Sequence, residues 1–326
     1  MMKIKYRFFE GQHCETNATG NLLSQQGIDL SEPMLFGLGE GLSFIFLNLS
    51  HLNLPFIGGR TKPFEITKTF CKNLGFQLFQ KETSSKANAL SSLQDLLSNK
   101  QCVGLQLDSY YLDYFKTKVH FAGHFVSVYG FDDNYFHVVD TKQQGSRLKC
   151  SYKSLEQARF AKGAMAAKAR YWTIDAKTKK TNLEKIIPKS IKNNAKEYLN
   201  PPFKGASFYG IEKLAVSLPK WISLAENPKE DLALAALLME RAGTGGSVFR
   251  NFYRDFLGES CEILKNAQIK KGYDAFSTIA DHWSEVASLI EESSKTLDEK
   301  YLIQSSALCR SLAQQEIDAM KMLVSL

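Results

Sequence analysis

No run in this sequence approaches the roughly 20 apolar residues a membrane-spanning helix needs. The start, Met-Met-Lys-Ile-Lys-Tyr-Arg, is positively charged but has no apolar stretch behind it. Neither a membrane protein nor a secretory leader is expected. Cysteine is sparse, six in 326 residues and no CxxC pair, which excludes a disulfide framework and a zinc-finger pattern. Free thiols fit a reducing compartment, so a cytoplasmic protein is expected. A dominant charge of one sign is also missing. The net charge is +7, with residues 1–175 holding +5 and residues 176–326 holding +2, both signs mixed in each. The one basic cluster, Lys177, Lys179, Lys180, Lys185 and Lys189, surrounds an apparent break between two halves and reads as a solvated linker. No nucleic-acid partner is expected. The six histidines, His13, His51, His120, His124, His137 and His282, include no pair at metal-ligand spacing, so no metal is expected. What remains is ordinary globular composition, 44% hydrophobic and 23% charged, in a length that suits about two domains.

The halves differ in pattern. In the first, Lys3 to Phe9 is strand-like and Glu15 to Gln26 is helical, stopping at Gly27. Glu65 to Asn73, Leu90 to Leu97 and Ser154 to Ala161 have helical character. Gly75 to Phe79, Cys102 to Leu107 and Arg170 to Ile174 read as extended. His124 to Gly130 and Tyr135 to Thr141 flank the turn Phe131-Asp132-Asp133-Asn134, a hairpin signal. The pattern is α+β with antiparallel strands towards its end. After Lys180 only helical periodicity appears, in six runs from Leu183 to Leu326 broken by Pro201-Pro202, Pro219, Pro228 and Gly243-Thr244-Gly245-Gly246. A boundary near residues 176–182 gives an N-terminal domain over 1–176 and an all-α domain over 183–326. The last helices are long and apolar-striped, which points to a homodimer through that domain.

Two segments together carry chemistry. Cys14 opens a helix in which Ala18 and Leu22 follow at steps of four, so the thiol heads the buried stripe. Unpaired N–H groups and the positive end of the helix dipole favour a thiolate there. A small buried hydrophobe is the competing reading of a free cysteine. In the hairpin, a three-residue loop of Asp132, Asp133 and Asn134 would oppose Phe131 to Tyr135 and Val126 to Asp140. His124 then lies diagonal to Asp140 on the same face, within hydrogen-bond reach. An odd loop keeps that parity and an even one destroys it. A carboxylate there would fix the imidazole tautomer and leave the other ring nitrogen for a thiol, a Cys-His-Asp arrangement.

These residues carry a family resemblance. Gly11-Gln12-His13-Cys14-Glu15-Thr16, Gly27-Ile28-Asp29-Leu30-Ser31-Glu32-Pro33 and Phe36-Gly37-Leu38-Gly39-Glu40-Gly41-Leu42 resemble the N-terminal domain family of butirosin biosynthesis protein H. The His124 hairpin is similar to the His-Asp region of papain-like enzymes. The helical half, with Glu240-Arg241-Ala242-Gly243-Thr244-Gly245-Gly246, resembles the uncharacterised domain usually found behind that family. The resemblance implies a papain-like cysteine-peptidase-type fold and an acyltransferase of secondary-metabolite biosynthesis. It would move an acyl group from an acyl carrier protein or CoA thioester to a small amine. No bound cofactor is implied beyond a phosphopantetheine-linked donor. Cys14 would be the nucleophile, His124 the general base and acid, and Asp140 the orienting residue. Papain-like proteases place an oxyanion-hole glutamine six residues before the cysteine. That position here is Phe8, leaving Gln12 as the nearest substitute, with the Cys14 N–H as a second donor.

Other residues are weaker candidates for substrate binding. His13 could wall the site. Gly39 and Gly41 could bring backbone close to a thioester, since the Gly37, Gly39, Gly41 spacing is GxGxG and not the dinucleotide GxGxxG. Arg60 after Gly58-Gly59 belongs to the same rim, and Asp108 with Tyr111 could line a groove. Gly245 and Gly246 before a helix carrying Arg250 could form an anion site, although a tight helix-helix turn is the preferred reading of them. Two other functions stay open: a peptidase, amidase or thioesterase using the same triad, and a non-catalytic papain-like binding protein.

Overall fold

The computed structural model describes residues 2–49, 52–176 and 182–326. Along the chain run β1 (Met2–Lys3), α1 (Cys14–Ser24), α2 (Glu32–Leu38), β2 (Leu42–Leu47), β3 (Phe56–Arg60), α3 (Glu65–Leu74), β4 (Gln77–Lys81), α4 (Lys86–Ser98), β5 (Val103–Leu107), β6 (His124–Phe131), β7 (Tyr135–Val139), β8 (Arg147–Ser151), α5 (Tyr152–Arg159) and β9 (Tyr171–Asp175). There follow α6 (Leu183–Leu199), α7 (Ser207–Ser217), α8 (Trp221–Leu224), α9 (Pro228–Glu240), α10 (Arg250–Leu264), α11 (Ala267–Thr296) and α12 (Glu299–Val324). The expected α+β class forms, with an antiparallel sheet in the N-terminal region and a helical C-terminal region. Two compact units result, Met1–Leu35 with Pro63–Thr181 and Phe36–Lys62 with Asn182–Leu326.

In the first unit the strands lie in the order β4-β9-β5-β6-β7-β8, with β1 beside β6 and every pair antiparallel. β5 is buried at every residue and β6 at all but its last, because α1 packs on both and α4 and α5 pack on this part of the sheet as well. That two-sided cover explains their apolar, non-alternating sequences. Gly104 is required in β5: a Cβ there would stand 2.2 Å from the Trp172 ring on β9. The strand expected over Lys3 to Phe9 is almost absent, since only Met2–Lys3 pairs with β6. The residues after it are held instead by side chains of α1. Tyr6 Oη and the Phe9 N–H donate to Asn21 Oδ1 at 3.1 and 3.2 Å, and the Gly11 N–H donates to Asn17 Oδ1 at 2.8 Å.

The second unit is helical except for the β2–β3 hairpin. α11 and α12 run antiparallel across a short connection; α9 and α10 pack on α11, and α6 and α7 on α12. Their apolar stripes, including Phe276, Trp283, Ile290 and Leu312, are buried within the unit, so the feature that pointed to a dimer is already covered by the chain itself. The hairpin is the surprise. Phe44 stacks on Trp283 at 5.3 Å, Phe36 stacks on Phe249 at 5.6 Å, and Asn194 Nδ2 donates to the Leu42 carbonyl at 2.8 Å. A single cut near 176–182, drawn where composition changes, leaves residues 36–62 with the wrong neighbours. Of the basic linker cluster, Lys185 and Lys189 lie on α6, while Lys177, Lys179 and Lys180 lie outside the described residues, as does His51. No described helix is long and apolar enough to cross a membrane.

Candidate active site

Cys14 is the first residue of α1 and is 8% exposed. Every residue from Cys14 to Leu23 is buried, although six of those ten are polar or Gly. A buried helix survives such a sequence only if its polar groups are bonded. Besides Asn17 and Asn21, Glu15 accepts from the Phe64 N–H, the Thr67 N–H and Thr67 Oγ1 at 3.0, 3.0 and 3.2 Å. It thereby caps α3, whose own N-cap residue, Phe64, has no side-chain oxygen and sits at φ 74°. The segment before Cys14 is clamped by Glu32 at the start of α2. Its carboxylate accepts from the Gln12 N–H at 3.0 and 2.8 Å, from the His13 N–H at 2.9 Å and from Thr16 Oγ1 at 2.7 Å. Burial raises the Glu32 pKa despite these donors. The Cys14 N–H, first of its helix, has no intrahelical acceptor.

His124 begins β6, and its Nε2 lies 2.8 Å from Asp140 Oδ2. The register behind this differs from the expected one in an instructive way. Phe131 faces Phe136, not Tyr135, so the loop holds an even number of residues, and a bulge between Val128 and Gly130 then adds one back. Val128 faces Val138 and Ser127 faces Val139, the register that puts His124 and Asp140 on one face. The Cys14 thiol lies near the His124 ring and acts on its charge. With Nε2 on Asp140, Nδ1 is the ring nitrogen left to serve the thiol. Burial alone would pull the His124 pKa down. The charge of Asp140, its hydrogen bond and the contacts with Cys14 outweigh burial and raise it from 6.5 to about 10.

Asp140 is fully buried and shared. Besides His124, Tyr114 Oη donates to Oδ2 at 2.8 Å and the Thr141 N–H donates to Oδ1 at 2.6 Å. Phe115 meets the imidazole edge-on, centroids 5.3 Å apart at 83°. From the sequence Phe115 and Glu32 have no role, and Tyr114 has only a place along a groove with Asp108, not its bond to Asp140. Each lies in a stretch without periodicity, and only the fold shows what it touches. In Tyr114→Phe, loss of a buried hydrogen bond to a charged group costs about 1.5–3 kcal/mol in unfolding stability. Asp140 is then left with more charge for the imidazolium, so the His124 midpoint, followed by NMR of its ring, moves upward. A hydroxyl that merely filled space would leave that midpoint in place.

The other sequence candidates scatter. Gln12 is exposed, and its backbone N–H is taken by Glu32. His13 is buried, its Nδ1 3.2 Å from Thr16 Oγ1. Asp108 is 2% exposed and already occupied. It accepts from the Tyr110 and Phe121 N–H groups at 3.0 and 2.9 Å and lies 2.9 Å from His120 Nδ1, pinning the loop that carries Tyr114 and Phe115. Tyr111 is half-buried in that loop, beside the stacked Tyr110 and His120 rings. His137 lies 3.0 Å from Asp132, and His282 lies 3.0 Å from Gln315.

Gly39, Gly41, Arg60, Gly245, Gly246 and Arg250 all belong to the second unit. Gly39 and Gly41 turn the chain from α2 into β2, where Gly41 packs on Phe36. Arg60 ends β3 and donates to the Thr61 carbonyl at 3.1 Å. Gly245 and Gly246 have φ of +68° and +90°, and a Cβ on either would strike Phe252 or Asn251, which makes them a tight turn. Arg250 corrects the anion-site expectation. It is wholly buried, with Nε and Nη2 on Glu316 at 2.8 Å each and Nη1 on the Val248 and Ser43 carbonyls at 2.7 and 3.1 Å, so its donors are spent inside the fold.

A buried helix that begins at a cysteine, laid on an antiparallel sheet whose histidine strand faces the thiol, belongs to the papain-like class. The model of the family described as Butirosin biosynthesis protein H, N-terminal, matches residues 13–141, and the chain belongs to the family described as Domain of unknown function (DUF4872), whose model matches residues 153–323. The first match spans Cys14, His124 and Asp140. No curated protein matches the chain.

Proposed function

We propose that this protein is a cysteine acyltransferase of secondary-metabolite biosynthesis, with Cys14 as nucleophile, His124 as acid and base, and Asp140 as the residue that orients the imidazole. The observation that carries the reading is the buried His124–Asp140 pair, 2.8 Å apart, with the Cys14 thiol at the helix head acting on the same imidazole. The family match over residues 13–141 supports a biosynthetic setting. The donor is an acyl thioester on a carrier protein or CoA and the acceptor a small amine.

The Cys14 sulfur, its proton transferred to His124, attacks the thioester carbonyl. The tetrahedral oxygen accepts a hydrogen bond from the Cys14 N–H, and the exposed Gln12 amide is the candidate for the second donor. Collapse forms the acyl-cysteine and breaks the donor C–S bond, His124 protonating the departing thiolate. The amine then attacks the acyl-cysteine, His124 accepts its proton, and Cys14 leaves as thiolate. The test is a single-turnover incubation with an acyl thioester, with and without an amine. Mass spectrometry should find the acyl group on Cys14, and the amine should convert it to amide faster than water releases acid. Equal release of acid in both incubations would make the protein a thioesterase, and an unacylated Cys14 would leave it a binding protein.

A further inference from the structure

A second buried cation in the first unit has no carboxylate. Arg159, the last residue of α5, is 4% exposed. Its Nη1 donates to the Ala89 carbonyl at 2.9 Å and its Nη2 to the Ala169 carbonyl at 3.3 Å, both neutral acceptors. Its Nε–H has no partner among the described residues. The acid one turn earlier on the same helix, Glu156, pairs with Lys86 at 2.6 Å. Burial lowers the Arg159 pKa to about 10, with only Tyr171 acting the other way. Buried charged side chains are rarely left without a counter-charge, because desolvation is repaid only by a partner of opposite sign.

Arg159 also lines a cavity of about 210 Å³ formed by α4, α5 and β7. Ala89, Leu90, Phe136 and Leu155 give it apolar walls, Lys153 adds a further cation, and the Lys86–Glu156 pair also lines it. A cavity with an apolar wall, a net positive lining once Lys86 and Glu156 cancel, and a buried guanidinium without a carboxylate partner matches one kind of small molecule. We propose that it binds a short-chain carboxylate, the head group pairing with Arg159 and the tail lying against Leu90, Phe136 and Leu155. Inorganic phosphate shares the charge but lacks the tail, and a neutral amide shares the tail but lacks the charge.

The test is calorimetric titration of the full chain with pentanoate, pentanamide and inorganic phosphate at constant ionic strength. Pentanoate should bind saturably and at least about tenfold more tightly than either of the others. Arg159→Gln should abolish binding. Should that variant not fold, Leu90→Trp decides, because Leu90 is 38% exposed at the cavity and the substitution fills the space while keeping Arg159; it too should lose binding. No saturable heat with pentanoate, equal affinity for pentanamide or phosphate, or unchanged binding in Leu90→Trp would each overturn the assignment.

Discussion

In Cys14→Ala, turnover of an acyl thioester falls roughly 10⁴-fold or more while the fold survives. Helix α1 is anchored by Glu15, Asn17 and Asn21, and the thiol's titrating neighbour is His124. His124→Ala loses about as much, and the double variant little more, because groups acting as one unit are not additive. The pH dependence follows from His124. Its pKa is raised to about 10, so the imidazolium is favoured in the folded protein. A raised histidine pKa stabilises the fold fully below about 6.5 and loses that contribution as pH rises through about 10. The rate should follow the same limb, falling as the imidazolium needed to protonate the leaving thiolate is lost. Iodoacetamide supplies a check without knowledge of the substrate. Wild-type Cys14 should be alkylated faster than a free peptide thiol at pH 7, and His124→Ala should bring the rate down to that of the peptide. Equal rates in both proteins would remove the basis for a nucleophile.

The elements that carry the thiol and the imidazole were legible because both rest on local rules. A cysteine one step before an apolar stripe marks a helix head, and two β-rich runs around Asp-Asp-Asn mark a hairpin. The register was reached by a different route from the one expected. An odd loop was assumed, the true loop is even, and the bulge next to Tyr129 restores the parity. Bulges leave little trace in composition, so an exact loop length was beyond reach. The surroundings of the glycine-rich stretch at 37–41 were hidden for another reason. Its sequence shows tight turning but not which surface it turns towards, and Phe36 and Phe44 find their partners among helices more than 200 residues further on. Tyr114 and Glu32 illustrate the same limit, since each bonds across a long sequence separation within loops or helix ends that have no period to read.

Arg250→Met should destabilise the helical unit by about 3–5 kcal/mol, the usual result of removing one member of a buried ion pair. The reason is what stays behind. Glu316 is fully buried and receives Arg250 through both carboxylate oxygens, with Trp283 Nε1 at 2.7 Å and the Tyr198 hydroxyl as its other donors. Two neutral donors cannot replace a guanidinium, so the mutant must bury a bare carboxylate or protonate it. The rings of Trp283 and Phe44 also lie 5.2 and 5.6 Å from the guanidinium carbon, and methionine keeps their packing but not the cation. Adding Glu316→Leu should therefore recover most of the loss, since an apolar pair in that space leaves no charge to solvate. Urea unfolding gives the magnitudes. Hydrogen exchange gives the location, with faster exchange expected in Arg250–Leu264 and Glu299–Val324 of the single variant and no change in Cys14–Ser24. A loss of under about 0.5 kcal/mol, the range of an ordinary surface substitution, would mean that the pair contributes nothing. In that case Arg250 would have to be reconsidered as a residue kept for a ligand.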